Sequence, residues 1–495
     1  MKQKILNNFT FIAIIVLLLI HFSSVLNSFF SQDDFFHLRV VMNKTYQDIP
    51  SFFFSLQKEY AFFRPLSRET FNLIMYRSFG LNPLPFHLVN YFLISCNIIL
   101  IFILARAVSK NKFITYVSTV IYAASSIHSV ELYYLASVQT LLATFFLLLS
   151  VAVYVIFLVE RKVTKYLLSI FFFILSLLSH EMSIVLPGII FLAELFCING
   201  KFSTRNFKFI IMRLLPFALI AFFYLFTTSL FIHLPSEQVY QPILSPKSIL
   251  NSLIWYTIWS FGLSEILIDF IGPSLKINPN LLKWYGTYLG IVMPLLGLVL
   301  FTIIGLIIKF KRKFIKNRIF LFFISSYLMA LSPFLFFPQH KSTFYLSFSM
   351  VWFSMVLAFS LSSLWDLKKI GKITTVLIIV SLIVISYQTT ELNKLTYWAA
   401  KRGSAAKYLL SEIKKKYPSL PQGAVFYIRN DPNYPKIARE WGNSSKQAFY
   451  ILSGGDALKL LYKDNLLRVY FEDVSAIPDD IDKMKVIFHV AQFPY

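Results

Sequence analysis

Residues 9–37 read FTFIAIIVLLLIHFSSVLNSFFSQDDFFH. The run from Phe9 to Leu26 is long enough to cross a bilayer core of about 30 Å as a helix, and two adjacent carboxylates, Asp33 and Asp34, follow it. Ionisable groups at a membrane boundary are costly to desolvate, so they usually have a partner or a task. Lys2 and Lys4 precede the run as they would a signal peptide. No small-residue cleavage site follows and further apolar runs do, so the segment reads as a retained signal-anchor helix.

The rest of the chain extends this pattern. Hydrophobic residues make up 57% of the 495 and charged residues 14%, a balance that excludes an ordinary soluble globule. Apolar runs at about 9–29, 86–105, 113–127, 136–159, 166–179, 182–199, 208–232, 284–308, 319–337, 343–364 and 373–389 predict about eleven transmembrane helices. The net charge of +23 would suit nucleic acid, but Lys and Arg cluster in short connectors between spans. That is the positive-inside distribution, and membrane lipid headgroups are the partner it implies. Cys96 and Cys197 both lie inside apolar runs. They lack metal-site spacing and read as packing residues.

Charge alternation sets the expected topology. Connectors rich in Lys and Arg (Arg106/Lys110/Lys112, Arg161/Lys162/Lys165, Lys201/Arg205/Lys208, Lys309–Arg318 and Lys368/Lys369/Lys372) alternate with poor ones. The N-terminus falls on the cytoplasmic side of a plasma membrane. Residues 248–271 break the scheme. Counting them as a span would place the Lys309–Arg318 cluster outside, and they carry Trp255, Tyr256, Trp259, Glu265 and Asp269. They read as part of an outer re-entrant or interfacial segment, 233–283.

The outer side then collects a long first loop (30–85) and several polar side chains: Asp33/Asp34, His128 and Glu131, His180 and Glu181, and His340-Lys341. After residue 390 no span remains. Residues 394–417 suit an amphipathic helix, 424–428, 467–471 and 486–490 suit strands, and 446–461 a helix. These predict an extracytoplasmic α/β domain over 391–495, following a transmembrane domain over 1–390. Gly454-Gly455-Asp456 is a turn without the sequence context of a phosphate loop.

Several residues invite chemistry. A carboxylate at the boundary can act as general base on a hydroxyl, so one of Asp33 and Asp34 works while the other supports it or caps the next helix. Plain helix termination is the alternative. Arg64 and Arg68, spaced i, i+4 after a break at Pro65, fall on one helical face and suit phosphate, or else snorkel to headgroups. His128 and Glu131 at i, i+3 can share one face, whereas His180-Glu181 interrupts an apolar run where a tight turn alone would need polarity. His340-Lys341 can contact an anion. There is no His-Glu-x-x-His, no Gly-x-Ser-x-Gly and no cysteine pair, so zinc and serine-hydrolase readings lack support.

Three stretches together carry a family resemblance: FFRPLSRETFNLIMYRSFGLNPLPFHLVNYFL (62–93), IHSVELYYLASVQTLLATFFLLLSV (127–151) and FILSLLSHEMSIVLPGIIFL (173–192). With the acidic pair before them, the chain resembles the glycosyltransferase C superfamily, nearest its protein O-mannosyltransferase-like branch. The likeness covers about residues 9–200 and, faintly, 330–365. The C-terminal domain lies outside it, and where a Lys-Glu is frequent this chain has His180-Glu181.

The resemblance implies a transferase that takes a sugar from a polyprenyl-phosphate donor and passes it to a hydroxyl of a protein, lipid or glycan, with inversion. An Asp of the first pair would be the base, with Glu131 as a further acid. Arg64, Arg68, His340 and Lys341 would face the donor phosphate, and His128, His180 and Glu181 would support the site. No metal or other cofactor is required on this reading. The alternatives are a surface-polysaccharide polymerase or ligase, and a lipid-linked-sugar transporter or flippase. A transporter would place its polar groups midway along the spans; here they sit at outer span ends.

Overall fold

The computed structural model describes residues 2–54, 62–197, 204–231, 240–272, 276–434, 442–476 and 486–493. From the N-terminus run α1 (Lys2–Ile20), α2 (Asp33–Val41), α3 (Ile49–Phe54), α4 (Phe71–Phe79), α5 (Leu84–Ser109), α6 (Lys112–Ala123), α7 (Ile127–Tyr133), α8 (Val138–Glu160) and α9 (Val163–Leu177). The bundle continues with α10 (Leu186–Cys197), α11 (Thr204–Phe231), α12 (Pro246–Ser260), α13 (Asn280–Lys316), α14 (Arg318–Leu331), α15 (Ser349–Trp365) and α16 (Lys369–Thr396). Then come α17 (Trp398–Lys416), β1 (Val425–Arg429), α18 (Ser444–Ile451), α19 (Asp456–Tyr462), β2 (Arg468–Phe471) and β3 (Val486–Val490). The fold class expected from the sequence, a multi-pass helical bundle with a small C-terminal α/β unit, is the one observed.

Among the described residues, six helical stretches are long and apolar enough to cross a membrane, and a seventh if α6 and α7, bent by 44°, form one span. The six contain α5, α8, α11, α13, α14 and α16. The other expected spans fall on helices that are short or break into a 3₁₀ turn. Polar residues cause such breaks. At the turn between α9 and α10, His180 Nδ1 accepts the Met182 amide at 3.1 Å and so caps the next turn. Within the bundle α8 packs on α5 and α9, α15 lies against α6 and α14, and α13 lies along α16.

The 248–271 segment differs from the interfacial reading in one respect. The helix α12 turns back at Gly262 (φ 98°) into a 3₁₀ turn over Glu265–Phe270. Trp255, Tyr256 and Trp259, expected at a lipid interface, are buried at 8%, 0% and 1% exposure. They face the 332–346 connection rather than lipid, with Tyr256 6.5 Å from Phe334 in ring-centroid distance. The last part of 233–283 is the start of α13.

The C-terminal sheet is parallel in the order β2-β1-β3. Its strands fall within a residue of the expected ones. The helix expected over 446–461 is instead two helices, because Ser453 and Gly454 take φ of 54° and 60° and turn the chain.

This unit does not stand apart. Its apolar core is continuous with residues 30–42 after the first helix: Phe30, Phe35, Leu38 and Met42 join Leu409, Ile413, Phe426 and Ile428 in one buried cluster. Backbone approach is closest at Gly403 of α17, where a Cβ would lie 2.6 Å from the Phe29 carbonyl oxygen. Only glycine permits that contact.

Candidate active site

The site begins where the first helix stops. The chain leaves α1 at Ile20, passes through a 3₁₀ turn (Ser23–Asn27), and starts α2 at Asp33. The span helix therefore does not run through the acids; both occupy the first turn of a separate helix, where amide dipoles favour negative charge. Their environments diverge. Asp34 is buried, and its carboxylate accepts the amides of Ser31 at 2.8 Å and Ala136 at 2.7 Å. Asp33 is half-buried, and its carboxylate accepts the Tyr134 hydroxyl at 2.6 Å. Asp34 thus fastens α2 to the start of α8, leaving Asp33 as the acid that water or an acceptor can reach.

Burial pushes Asp34 up to about 8, against the two amides that favour its charged form. An acid whose folded pKa lies above its ordinary value destabilises the fold wherever only the unfolded chain is ionised, so stability is lost as pH rises from about 4 to about 8 and changes no further beyond it. Melting temperature is expected to fall between about pH 4 and 8 in the wild type, and less steeply in Asp34→Asn, with the difference between the two slopes as the readout.

Around Asp33 the walls are aromatic. The Tyr134 ring stands edge-on to Trp398 at 4.9 Å and 5.7 Å from Phe344. His340 lies 4.6 Å from the Tyr240 ring and 5.7 Å from Tyr345. Burial lowers the His340 pKa, and the Asp33 charge opposes that shift. Lys341 donates to Asn251 at 2.9 Å. The loop bearing both is pinned by Glu265, which accepts the Ser342 hydroxyl at 3.0 Å, the Thr343 amide at 2.6 Å and the Thr343 hydroxyl at 2.7 Å.

The two arginines do not share a helical face. Arg68 lies within a π-helical turn (Pro65–Thr70), whereas Arg64 just precedes it with non-helical φ −134° and ψ 54°. Arg64 donates through Nε to Glu181 at 2.8 Å, through a second nitrogen to the other carboxylate oxygen, and to Gln139. Such a fork fixes the guanidinium plane. Arg68 is buried in a pair with Glu69. Desolvation works against the Glu181 charge, but the Arg64 guanidinium prevails and holds Glu181 at about 2. Burial and the Arg64 charge hold His180 at about 3, so it stays neutral. Gln139 also meets the His37 ring, at 3.2 Å from Nε2, and so links α2 to Arg64.

His128 and Glu131 are brought together, though not at the site mouth. His128 Nδ1 lies 2.9 Å from Glu131, and its Nε2 lies 2.8 Å from the Tyr122 carbonyl oxygen. The two are 1% and 0% exposed. Glu131 is thus enclosed in the bundle, where the pair joins α7 to the end of α6. Among the described residues no three His, Cys, Asp or Glu side chains converge as metal ligands do.

Sequence reasoning missed Tyr134, Gln139, Glu265 and Arg402. Tyr134 and Gln139 lay inside the quoted stretch 127–151, but only acids and histidines were singled out there. Arg402 is half-buried on α17, with its guanidinium carbon 5.3 Å from the Trp398 ring centroid and 5.8 Å from that of Tyr450.

No protein-family model matches this chain, and no curated protein matches it. Among solved structures it is similar to the oligosaccharyltransferase of Archaeoglobus fulgidus. One crystal structure, with a tethered acceptor peptide containing an NVT sequon, gives a TM-score of 0.47 at 13% identity, covering 96% of this chain and 65% of that one. A second, with zinc and sulfate, gives 0.46 at 13% identity, covering 95% and 64%. The chain thus spans about 65% of the length of the structures it matches. Both are oligosaccharyltransferases, whereas the sequence resemblance points to the O-mannosyltransferase-like branch. No residue role follows from a likeness of this degree.

Proposed function

We propose that the chain is an integral-membrane glycosyltransferase that moves a sugar from a polyprenyl-phosphate-linked donor to a hydroxyl of a protein, lipid or glycan acceptor. The division between the two adjacent acids supports it. Asp34 is consumed by backbone amides, whereas Asp33 is accessible and oriented by Tyr134 among aromatic walls that suit a sugar. In this reading the acceptor oxygen attacks the anomeric carbon opposite the phosphate. The bond from that carbon to the phosphate oxygen breaks, and its electron pair leaves with the polyprenyl phosphate. The hydroxyl proton goes to Asp33, and the anomeric configuration inverts.

Charge developing on the leaving phosphate is met by cations already in place, which costs no reorganisation during the reaction. Arg64, held flat by Glu181 and Gln139, is the fixed one, with Lys341 as a second cation and His340 beside it as a neutral hydrogen-bond donor. Arg68, paired with Glu69, is the more deeply buried of the two arginines and backs the site behind Arg64. The N-terminus is placed in the cytoplasm and the C-terminal α/β unit outside, with the donor tail in the outer leaflet.

Incubating purified protein with polyprenyl-phosphate sugars and, separately, with sugar nucleotides tests the donor class. Release of polyprenyl phosphate from the lipid-linked sugars alone is expected. Transfer from a sugar nucleotide without a lipid carrier would overturn the reading.

A further inference from the structure

The residue just before the base is held in a strained conformation. Gln32 has φ 47° and ψ −116°, a region open to glycine but rarely taken by other residues. Strain of this kind persists only where the surroundings enforce it. Local bonds hold part of it, the Ser31 amide on Asp34 and the Phe35 amide on the Gln32 carbonyl, and the C-terminal unit adds a contact from 370 positions away, the Arg402–Gln32 hydrogen bond.

Four contacts converge on the turn. The Gln32 amide donates to the Ile451 carbonyl oxygen at the end of α18, at 3.2 Å. The Gln32 side-chain oxygen accepts the Arg402 guanidinium. The Phe29 carbonyl sits on Gly403. In the last turn of α2, Arg39 pairs with Asp456 of α19 at 2.8 Å. Arg402 also packs on Trp398, whose ring meets Tyr134, the hydroxyl donor to Asp33. Two routes therefore lead from Arg402 to the base, one through Gln32 and one through the aromatic wall.

We propose that Arg402 is a positioning residue for Asp33: through the Gln32 side chain it holds the strained turn that aims the carboxylate. The C-terminal unit is then a working part of the active site. The kinetic side of this proposal rests on the transferase reading above; the conformational side does not.

The test is a mutant cycle on the full-length protein in detergent, read by amide hydrogen exchange over residues 32–36 and by transfer kinetics. Arg402→Ala is expected to raise exchange of those amides about tenfold and to lower kcat about tenfold, with donor KM within about twofold. Arg402→Met, which keeps the packed stem and loses the hydrogen bond, is expected to do the same; it serves if the alanine variant fails to fold. Gln32→Gly relieves the strain, so Arg402→Ala in that background is expected to change exchange by less than about twofold.

Equal effects of Arg402→Ala in both backgrounds would show that its charge acts directly, and would overturn the proposal. So would unchanged exchange in the single variants. A wild type inactive on every lipid-linked sugar would sink the transferase reading, while the exchange arm still decides the positioning role.

Discussion

Asp33→Asn is expected to lower kcat for sugar transfer by about 10²–10⁴, the range a positioned general base supplies, with donor binding retained. The asparagine amide is nearly isosteric and can still meet the Tyr134 hydroxyl, so the fold should survive. Asp34→Asn is expected to behave differently. One amide oxygen cannot replace both oxygens that accept Ser31 and Ala136. Stability should fall by about 1–3 kcal/mol, more near pH 5 than near pH 8, since the wild type itself loses stability as pH rises from about 4 to about 8. Its activity loss should be the smaller of the two. Steady-state kinetics beside thermal melts separates the roles. A reversed order, with Asp34→Asn inactive and Asp33→Asn near wild type, would exchange them.

The second large effect is expected at Arg64. Arg64→Ala removes the fixed cation and should lower kcat by about 10²–10³, the cost of losing one preorganised donor to a developing anion. Arg64→Lys should recover little of it, because an ammonium cannot reproduce the fork to Glu181 and Gln139. Stability should fall as well. Breaking a fully buried pair costs about 3–5 kcal/mol, but the Glu181 side chain is 32% exposed, so solvent screening reduces this to about 2 kcal/mol. Because the Glu181 pKa is held down at about 2, its contribution is present above the ordinary carboxylate range and is lost as pH falls toward about 2. The double variant Arg64→Ala/Glu181→Gln, which leaves no unpaired charge, should be more stable than Arg64→Ala alone. Activity would not return with it.

Much of the architecture was legible in the sequence because apolar runs and basic connectors report directly on burial in lipid. The strands were legible as short runs of β-branched and aromatic residues in 424–428 and 486–490. What spacing could not say was which way a polar residue faces. His128 and Glu131 do share a side, as i, i+3 implies, but that side is sealed against Tyr122. Trp255 and Trp259 carry the signature of an interface and are nevertheless core residues, because the 332–346 connection covers them. Arg64 stands outside the π-helical turn that holds Arg68, a break that no pattern of side chains announced. Arg402 looked like one more cation on an amphipathic helix. Its partner lies 370 positions away, and a contact of that separation is set by the packing of Phe30 and Phe35 against α17 rather than by any local motif.

The most direct test of the central claim is single-turnover transfer from a synthetic polyprenyl-phosphate sugar by protein in lipid nanodiscs, wild type beside Asp33→Asn, with product configuration read by NMR. Consumption by the wild type, product of inverted anomeric configuration, and a variant that binds the donor but leaves it intact are predicted. Consumption by the variant at the wild-type rate, or a product of retained configuration, would contradict Asp33 as the base of an inverting transferase.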